Sequence, residues 1–448
     1  MLSMAMTYPD QESRSATLYR RASEVLAGGS TRHTTFYSPY PVYAVSGRGS
    51  RVVDADGVER VDCLNNYMTL IHGHAHPEVV ESIVDQVRRG SCFAMPTERE
   101  IELAEIISER VESVETMRFC NSGSESVLIA IKAARAHTGR PMVAKCEGAY
   151  HGCYDPVEVS LSASPESWGD PDEPAKVPYT VGLPERVMED VVVLPFNEVE
   201  ASRKLLEQHA GRLAAIVVDP VPTRVGCVPM QQEYAEMLRE VATRHGIVLI
   251  FDEVASFRVR YRGAQTMVGV TPDLTTFGKV IGGGLPVGAV GGRRDIMSVF
   301  DASKGKPRAA HGGTFNANPA TMAAGAAAMR LLTEDAVDAI NARGDRARER
   351  IDAAFEAAGV AGQAIGVGSL VMVHFNRRAL RNYRDVFPPA SESRRMAALH
   401  RALLNRGFIL GAGGLAAIST ANTDQEIDNL ADAIEDSLRE MRLNDPGH

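Results

Sequence analysis

Lys279 lies between a short apolar run and three consecutive glycines, in FGKVIGGGLPVGA. Apolar and glycine neighbours partly desolvate its ammonium and lower its pKa, as an amine nucleophile requires. A second group stands 27 residues earlier, where the apolar stretch Ile247–Phe251 ends in Asp252-Glu253-Val254. That places a carboxylate at the C-terminal edge of a strand, where open α/β sheets build their sites. An acid to pair with a pyridinium nitrogen and an amine to form a Schiff base are together what pyridoxal 5'-phosphate needs. Asn121-Ser122-Gly123-Ser124-Glu125 opens a long amphipathic segment. It reads either as a helix cap on Ser122 or Ser124 or as an anion site of amides and hydroxyls at a helix N-terminus. Glu147-Gly148-Ala149-Tyr150-His151-Gly152 follows another strand and supplies an aromatic face for a cofactor ring.

The elements that must position these groups alternate. Strands at 116–120, 142–145, 191–194, 214–218 and 247–251 are interleaved with helices at 125–137, 198–209 and 232–245. This predicts an α/β fold with a mostly parallel sheet covered by helices. Before it come a short helix at 17–26, an antiparallel run around Gly49 and Asp56-Gly57, and helices at 77–89 and 97–111. After it come helices at 319–332, 335–358, 394–406 and 424–442 with short strands near 368–374, 408 and 417, the pattern of a separate α+β lobe. Residues 154–188 carry Pro, Gly and acids without periodicity, a length of loop that is functional or disordered.

The bulk properties exclude several classes. A chain of 448 residues supports two or three domains, and its net charge of −9 offers no basic field for nucleic acid. Six cysteines without a C-x-x-C pair suggest neither a zinc site nor a disulfide framework, and reduced thiols suit a cytoplasmic protein. The run Met1 to Ser15 is polar, and no stretch approaches about 18 apolar residues, so no membrane is expected. His72, His74 and His76 alternate on a short turn without carboxylates, so no metal is expected there either.

Taken jointly and in order, these motifs resemble the class III aminotransferases of pyridoxal-phosphate fold type I, and within them the glutamate-1-semialdehyde 2,1-aminomutase-like branch, over about residues 20–440. The resemblance implies a large domain (71–325) with a mostly parallel seven-stranded sheet, and a small α+β domain from both termini (1–70 and 326–448). It implies that Lys279 forms the Schiff base and moves the substrate proton, and that Asp252 pairs with the pyridine nitrogen while Val254 packs on a ring face. Ser122, Gly123 and Ser124 match the phosphate loop, with Ser in place of the family's Thr. Tyr150 and His151 match Y-H-G, with Tyr150 stacking on the ring. Thr314, in HGGTFNANP, matches the threonine that reaches the neighbouring subunit's phosphate, which implies a homodimer with shared active sites.

On the substrate side, Arg32 in GGSTRHTTF resembles the arginine that grips a carboxylate, and Tyr67 stands where an aromatic lines the pocket. Two departures bear on the reaction. Arg224, in DPVPTRVG, falls where the family has Asn. The run Gly411–Ile418 lacks the Glu with which the aminomutases hold the substrate amine. The expected activity is therefore transfer of an amino group from a carboxylate-bearing donor, such as a β-amino acid or a specialised metabolite, to a 2-oxo acid by a ping-pong cycle. The alternatives are the aminomutase, with residues 154–188 as its lid, and a non-catalytic protein on the same fold.

Overall fold

The computed structural model describes residues 7–303 and 305–444; the first six residues of the polar N-terminal run lie outside it. The chain divides into two units, Met1–Pro77 with Ala339–Arg378 and Pro388–His448, and Glu78–Asp338 with Ala379–Phe387. These borders fall later than the expected 70 and 325. The helix Glu334–Ala358 runs through the second one without interruption, so no composition change marks it. The nine-residue return of the chain to the larger unit at 379–387 has no periodic signal either.

The smaller unit holds two sheets. Strands β1 (Ala44–Arg48), β2 (Arg51–Asp54) and β3 (Glu59–Asp62) form an antiparallel meander whose free edge accepts a late strand in parallel.

The larger unit is built on seven strands: β4 (Thr116–Cys120), β5 (Met142–Cys146), β6 (Val191–Leu194), β7 (Leu213–Val218), β8 (Val248–Asp252), β9 (Leu274–Gly278) and β10 (Gly288–Gly292). Their order is β4-β10-β9-β8-β7-β5-β6. The sheet is mostly parallel as expected; β10 alone runs against its neighbours β4 and β9. Strands such as LAAIVV and VLIFD are buried at every position, the continuous apolar pattern of a sheet covered on both faces. β10 is GAVGG because nothing larger fits: a Cβ on Gly288 would lie 2.0 Å from the Ser122 carbonyl oxygen. The helix Gly123–Thr138 packs Val127, Ala130, Ile131 and Ala134 into the core with Val217, Ile250 and Leu274. It ends on Gly139 in the left-handed region, at φ 71°.

The smaller unit closes with β11 (Gln363–Ile365), β12 (Leu370–His374), β13 (Phe408–Ile409) and β14 (Leu415–Ala417). β13 pairs with β3, and β11-β12-β14 form a separate antiparallel sheet. Phe355, Leu399, Leu403, Ile434 and Leu438 from three helices pack on Val371 and Val373 to form its core. Phe355 is fully buried, edge-to-face with Phe375 at 5.5 Å. Phe355→Ala leaves a ring-sized void and should cost about 3–5 kcal/mol. The measurement is guanidinium unfolding of the variant, with the loss confined to the transition that reports this unit.

Candidate active site

Three adjacent parallel strands end side by side. Val218 is in register with Phe251, and Asp252 with Thr276. Asp219, Asp252 and Lys279 therefore come from neighbouring strand ends, at the edge where such sheets place their chemistry. Asp252 is buried and fully engaged. His151 Nδ1 lies 2.7 Å from its Oδ2, while Thr276 Oγ1 (2.9 Å) and the Val254 amide (3.1 Å) donate to Oδ1. Burial alone would raise its pKa, but the hydrogen bond and charge of His151, with those two donors, outweigh it and hold the carboxyl below its ordinary value. His151 is buried, and its Nε2 has no partner among the described residues.

Lys279 sits one residue past β9 with φ 48°, in the left-handed region that non-glycine residues occupy mainly under constraint. Its amine is pushed below the ordinary lysine value by burial, against the pull of Asp252 and Asp219. Val254 fills the space over Gly123 and Gly278; a Cβ on Gly123 would be 2.7 Å from Val254 Cγ1.

The stretch 121–125 is both a cap and an anion site. Ser122 Oγ accepts from the Glu125 amide (3.1 Å), and Glu125 accepts from the Asn121 amide (2.6 Å). The amides of Gly123 and Ser124 remain at the positive end of a 16-residue helix. Tyr150 is 47% exposed despite its size, and Cys153 N–H donates to Ser124 Oγ (3.1 Å). The loop carrying exposed Thr314 is tied to this cradle by Asn121 Nδ2 donating to Asn316 Oδ1 (2.8 Å). Ser122, Gly123, Ser124, Tyr150, His151, Asp252, Val254, Lys279 and Thr314 all belong to the larger unit, as does Arg224, which is exposed and donates to Ser162 Oγ (2.7 Å).

Arg32 and Tyr67 meet in the smaller unit. The Arg32 guanidinium lies 5.6 Å from the Tyr67 ring centroid and donates to Asn66 Oδ1 (2.8 Å). The turn beneath them is strained: Asn65, Asn66, Tyr67 and Met68 all have φ between 50° and 76°. Left-handed residues cost roughly 1–2 kcal/mol each, so four in succession persist only where surroundings impose them. The Asn65 side chain does so by donating to the Ala417 carbonyl (2.8 Å), and Tyr67 by donating its hydroxyl to the Thr34 carbonyl. Two of the three histidines nearby have structural partners, while His76 Nδ1 has none among the described residues. His74 Nε2 bonds Asp62 (2.8 Å) and His72 Nδ1 bonds Thr420 (3.1 Å).

Residues 154–188 form a wall fastened to the sheet edge. Ser160 and Ala163 are fully buried, and the Gly148 amide donates to the Ser160 carbonyl. The fastening comes from the return segment 379–387. Arg384 clasps both oxygens of buried Glu147 (2.9 and 3.2 Å) and donates to the carbonyls of Trp168, Gly169 and Asp170. Tyr383 donates to the Ala163 carbonyl (2.8 Å), and its ring leaves no room for a Cβ on Gly148. Inside the same corner, buried Lys145 donates to the carbonyls of Ala149 and Val159, and burial pushes its pKa down to about 7. Sequence reasoning missed Thr276, Asp219, Glu147 and Arg384. Two signals were there: Asp219 follows an apolar strand much as Asp252 ends one, and the Thr275-Thr276 pair lies inside an apolar strand, where buried hydroxyls need partners.

The arrangement offers a desolvated amine, a carboxylate held ionised, an anion cradle and an exposed aromatic face, which is the equipment of an enzyme acting through an aldehyde cofactor. The aminotransferase class-III family model matches residues 35–438, and the chain belongs to that family. It is 37% identical over 437 residues to the glutamate-1-semialdehyde 2,1-aminomutase of Methanopyrus kandleri, covering 97% of this chain and 99% of that one. Among solved structures it is similar to an omega-transaminase from Sphaerobacter thermophilus (48% identity, TM-score 0.95, 97% and 99% covered). It is also similar to a beta-phenylalanine aminotransferase from Variovorax paradoxus (33%, TM-score 0.86, 96% and 94% covered). The chain is thus an enzyme of the pyridoxal-phosphate-dependent kind. The residues present suit that group: the helix N-terminus suits a phosphate, Asp252 a pyridinium nitrogen and the low-pKa amine an aldehyde. No helix among the described residues is long and apolar enough to cross a membrane.

Arg384→Ala would leave the Glu147 carboxyl buried without its partner. It should cost about 3–5 kcal/mol, less to the extent that Glu147 takes up a proton. The double variant Arg384→Met with Glu147→Gln should cost less than Arg384→Ala alone. Urea unfolding measures both, and limited proteolysis should show new cleavage within 160–188 in the single variant.

Proposed function

We propose that the protein is an aminotransferase that moves the amino group of a carboxylate-bearing donor, a β-amino acid, to a 2-oxo acid in two half-reactions. The bound cofactor supplies an electron sink for the carbon that carries the amine. Lys279 holds the cofactor through its amine and, once released, takes and returns the substrate proton. Asp252, fixed by His151, keeps the pyridine nitrogen protonated. Tyr150 and Val254 cover the two ring faces. Ser122, Gly123 and Ser124 hold the phosphate, together with Thr314 from the neighbouring subunit of a homodimer. Arg32 grips the donor carboxylate beside Tyr67, and Arg224 offers a second cation for the acceptor. The unpaired thiols of all six cysteines suit a cytoplasmic setting.

The observation that carries the donor class is Arg32. Its guanidinium is exposed and bonded to a neutral amide, with no carboxylate partner among the described residues. A planar fork without an acidic partner suits a ligand carboxylate. Likeness to an aminotransferase of beta-phenylalanine supports the β-amino acid. The aminomutase reading has the support of the curated relative, but Gly411–Ile418 folds as a tight turn into β14 with no acid to hold a diamine. Glutamate-1-semialdehyde consumed with no 2-oxo acid added would overturn the ranking.

Arg32→Ala should raise KM for β-amino acids roughly 10- to 150-fold, the value of about 1.5–3 kcal/mol for a hydrogen bond to a charged group. KM for 1-phenylethylamine, which has no carboxylate, should stay within about twofold on the scale set by that lost contact. An equal rise for both donors removes Arg32 from carboxylate recognition.

The homodimer is supported by apolar side chains left in water on two linked loops. Met95 is 71% exposed and Phe315 60%, and Asn318 ties the loops by donating to the Ser91 carbonyl (2.9 Å). Phe315→Asp with Met95→Glu should shift sedimentation toward monomer and weaken cofactor retention together. A dimer of unchanged affinity would refute this surface.

A further inference from the structure

A second buried carboxyl stands beside Asp252, and nothing above gives it a role. Asp219 follows β7 as Asp252 ends β8, and strands in a sheet lie about 4.8 Å apart. Both acids are buried, at 5% and 4% exposure. They share one amine, Lys279, from the end of β9. Two carboxyls at this spacing do not both ionise readily, so the proton settles on the one with fewer donors. Asp252 has His151, Thr276 and the Val254 amide. Asp219 has one, the Val221 amide at 2.9 Å; the Ser256 hydroxyl, which donates to the Asp252 carbonyl (3.4 Å), also favours its ionised form. The charged groups facing Asp219 are Asp252 and Lys279, with His151 acting through Asp252. The neighbouring Glu253 is engaged with Ala264 and Gln265. Burial first, then the Asp252 charge, push the Asp219 pKa up to about 7, against Val221, Ser256 and Lys279.

We propose that Asp219 is a positioning residue that shares one proton economy with Asp252 and, when ionised, adds a negative charge that favours the protonated state of the Lys279 nitrogen. This rests on the reading of Lys279 as the residue that holds the cofactor. In the acid form, Asp219 leaves the amine in the field of one carboxylate; in the ionised form, in the field of two. The same titration acts on folding. A carboxyl whose pKa is raised in the folded state stabilises it fully below the unfolded value, and that stability is lost as pH rises through the folded pKa.

The test is a pH titration of the holoenzyme's visible absorbance in the wild type, Asp219→Asn and Asp219→Glu, with borohydride reduction and peptide mapping of each. Asp219→Asn should move the absorbance midpoint down by about one pH unit, a tenfold change in the protonation equilibrium. Asp219→Glu should restore it. The cofactor-free Asn variant should also lose less stability than the wild type as pH rises from about 4 to 7. Should the Asn variant fail to fold, Ser256→Ala removes a hydroxyl that favours the ionised form of Asp219 and should move the midpoint the same way. A folded variant labelled at Lys279 with an unmoved midpoint overturns the proposal alone. Labelling at any other residue removes the reading of Lys279, and the proposal with it.

Discussion

The site depends on a buried carboxylate kept negative. Removing Asp252 from water opposes its ionisation, and three donors reverse that preference: an imidazole, a hydroxyl and a backbone amide. Each comes from a different place, namely the loop after β5, strand β9 and the turn after β8 itself. The sheet must therefore be assembled in register before the charge is tolerable. A strand slipped by one residue would turn Thr276 to the other face and leave the acid to protonate. The ionised acid in turn bounds what its neighbours can be. It holds back the lowering of the Lys279 pKa by burial, and it adds to burial in raising the pKa of Asp219.

The loops around this edge are held by polar side chains reaching backbone carbonyls. Lys145, Tyr383 and Arg384 together serve six carbonyl oxygens between Ala149 and Asp170. A stretch with only two short helices and one bridge has no ladder to satisfy most of its carbonyls, and water cannot reach them where the wall is buried. Long side chains with donor tips supply the missing partners, and one guanidinium serves several acceptors at once. A segment fastened this way forms a wall along this corner of the larger unit. Its shape is set by the nine residues that return from the far end of the chain.

How much of this the sequence disclosed follows from how local each signal is. Strands such as LAAIVV and the helix at 232–245 could be bounded almost to the residue, because burial on two faces or on one stripe writes its own period. Lys279, Asp252 and the 121–125 cradle were legible because their flanks are restricted by glycines, strand ends and a helix start. The clasp of Glu147 by Arg384 joins residues 237 positions apart in exposed-looking, polar context, so no window of sequence contains it. That β10 runs against its neighbours was hidden for a related reason: its direction is set by pairing with β4, roughly 170 residues earlier, and no local pattern records it.

The four left-handed residues under Arg32 show the same logic applied to strain. Asn65 and Asn66 tolerate that conformation better than most residues, but Tyr67 and Met68 gain nothing from it locally. Tethers to the Ala417 and Thr34 carbonyls overcome the cost, and the result is an aromatic ring and an amide oxygen presented together to one guanidinium. An acidic partner would have held Arg32 more tightly, and a substrate carboxylate would then have had to displace it. A neutral amide orients the fork while leaving its charge available, so on the proposed reading of Arg32 the strain in this turn serves recognition more than stability.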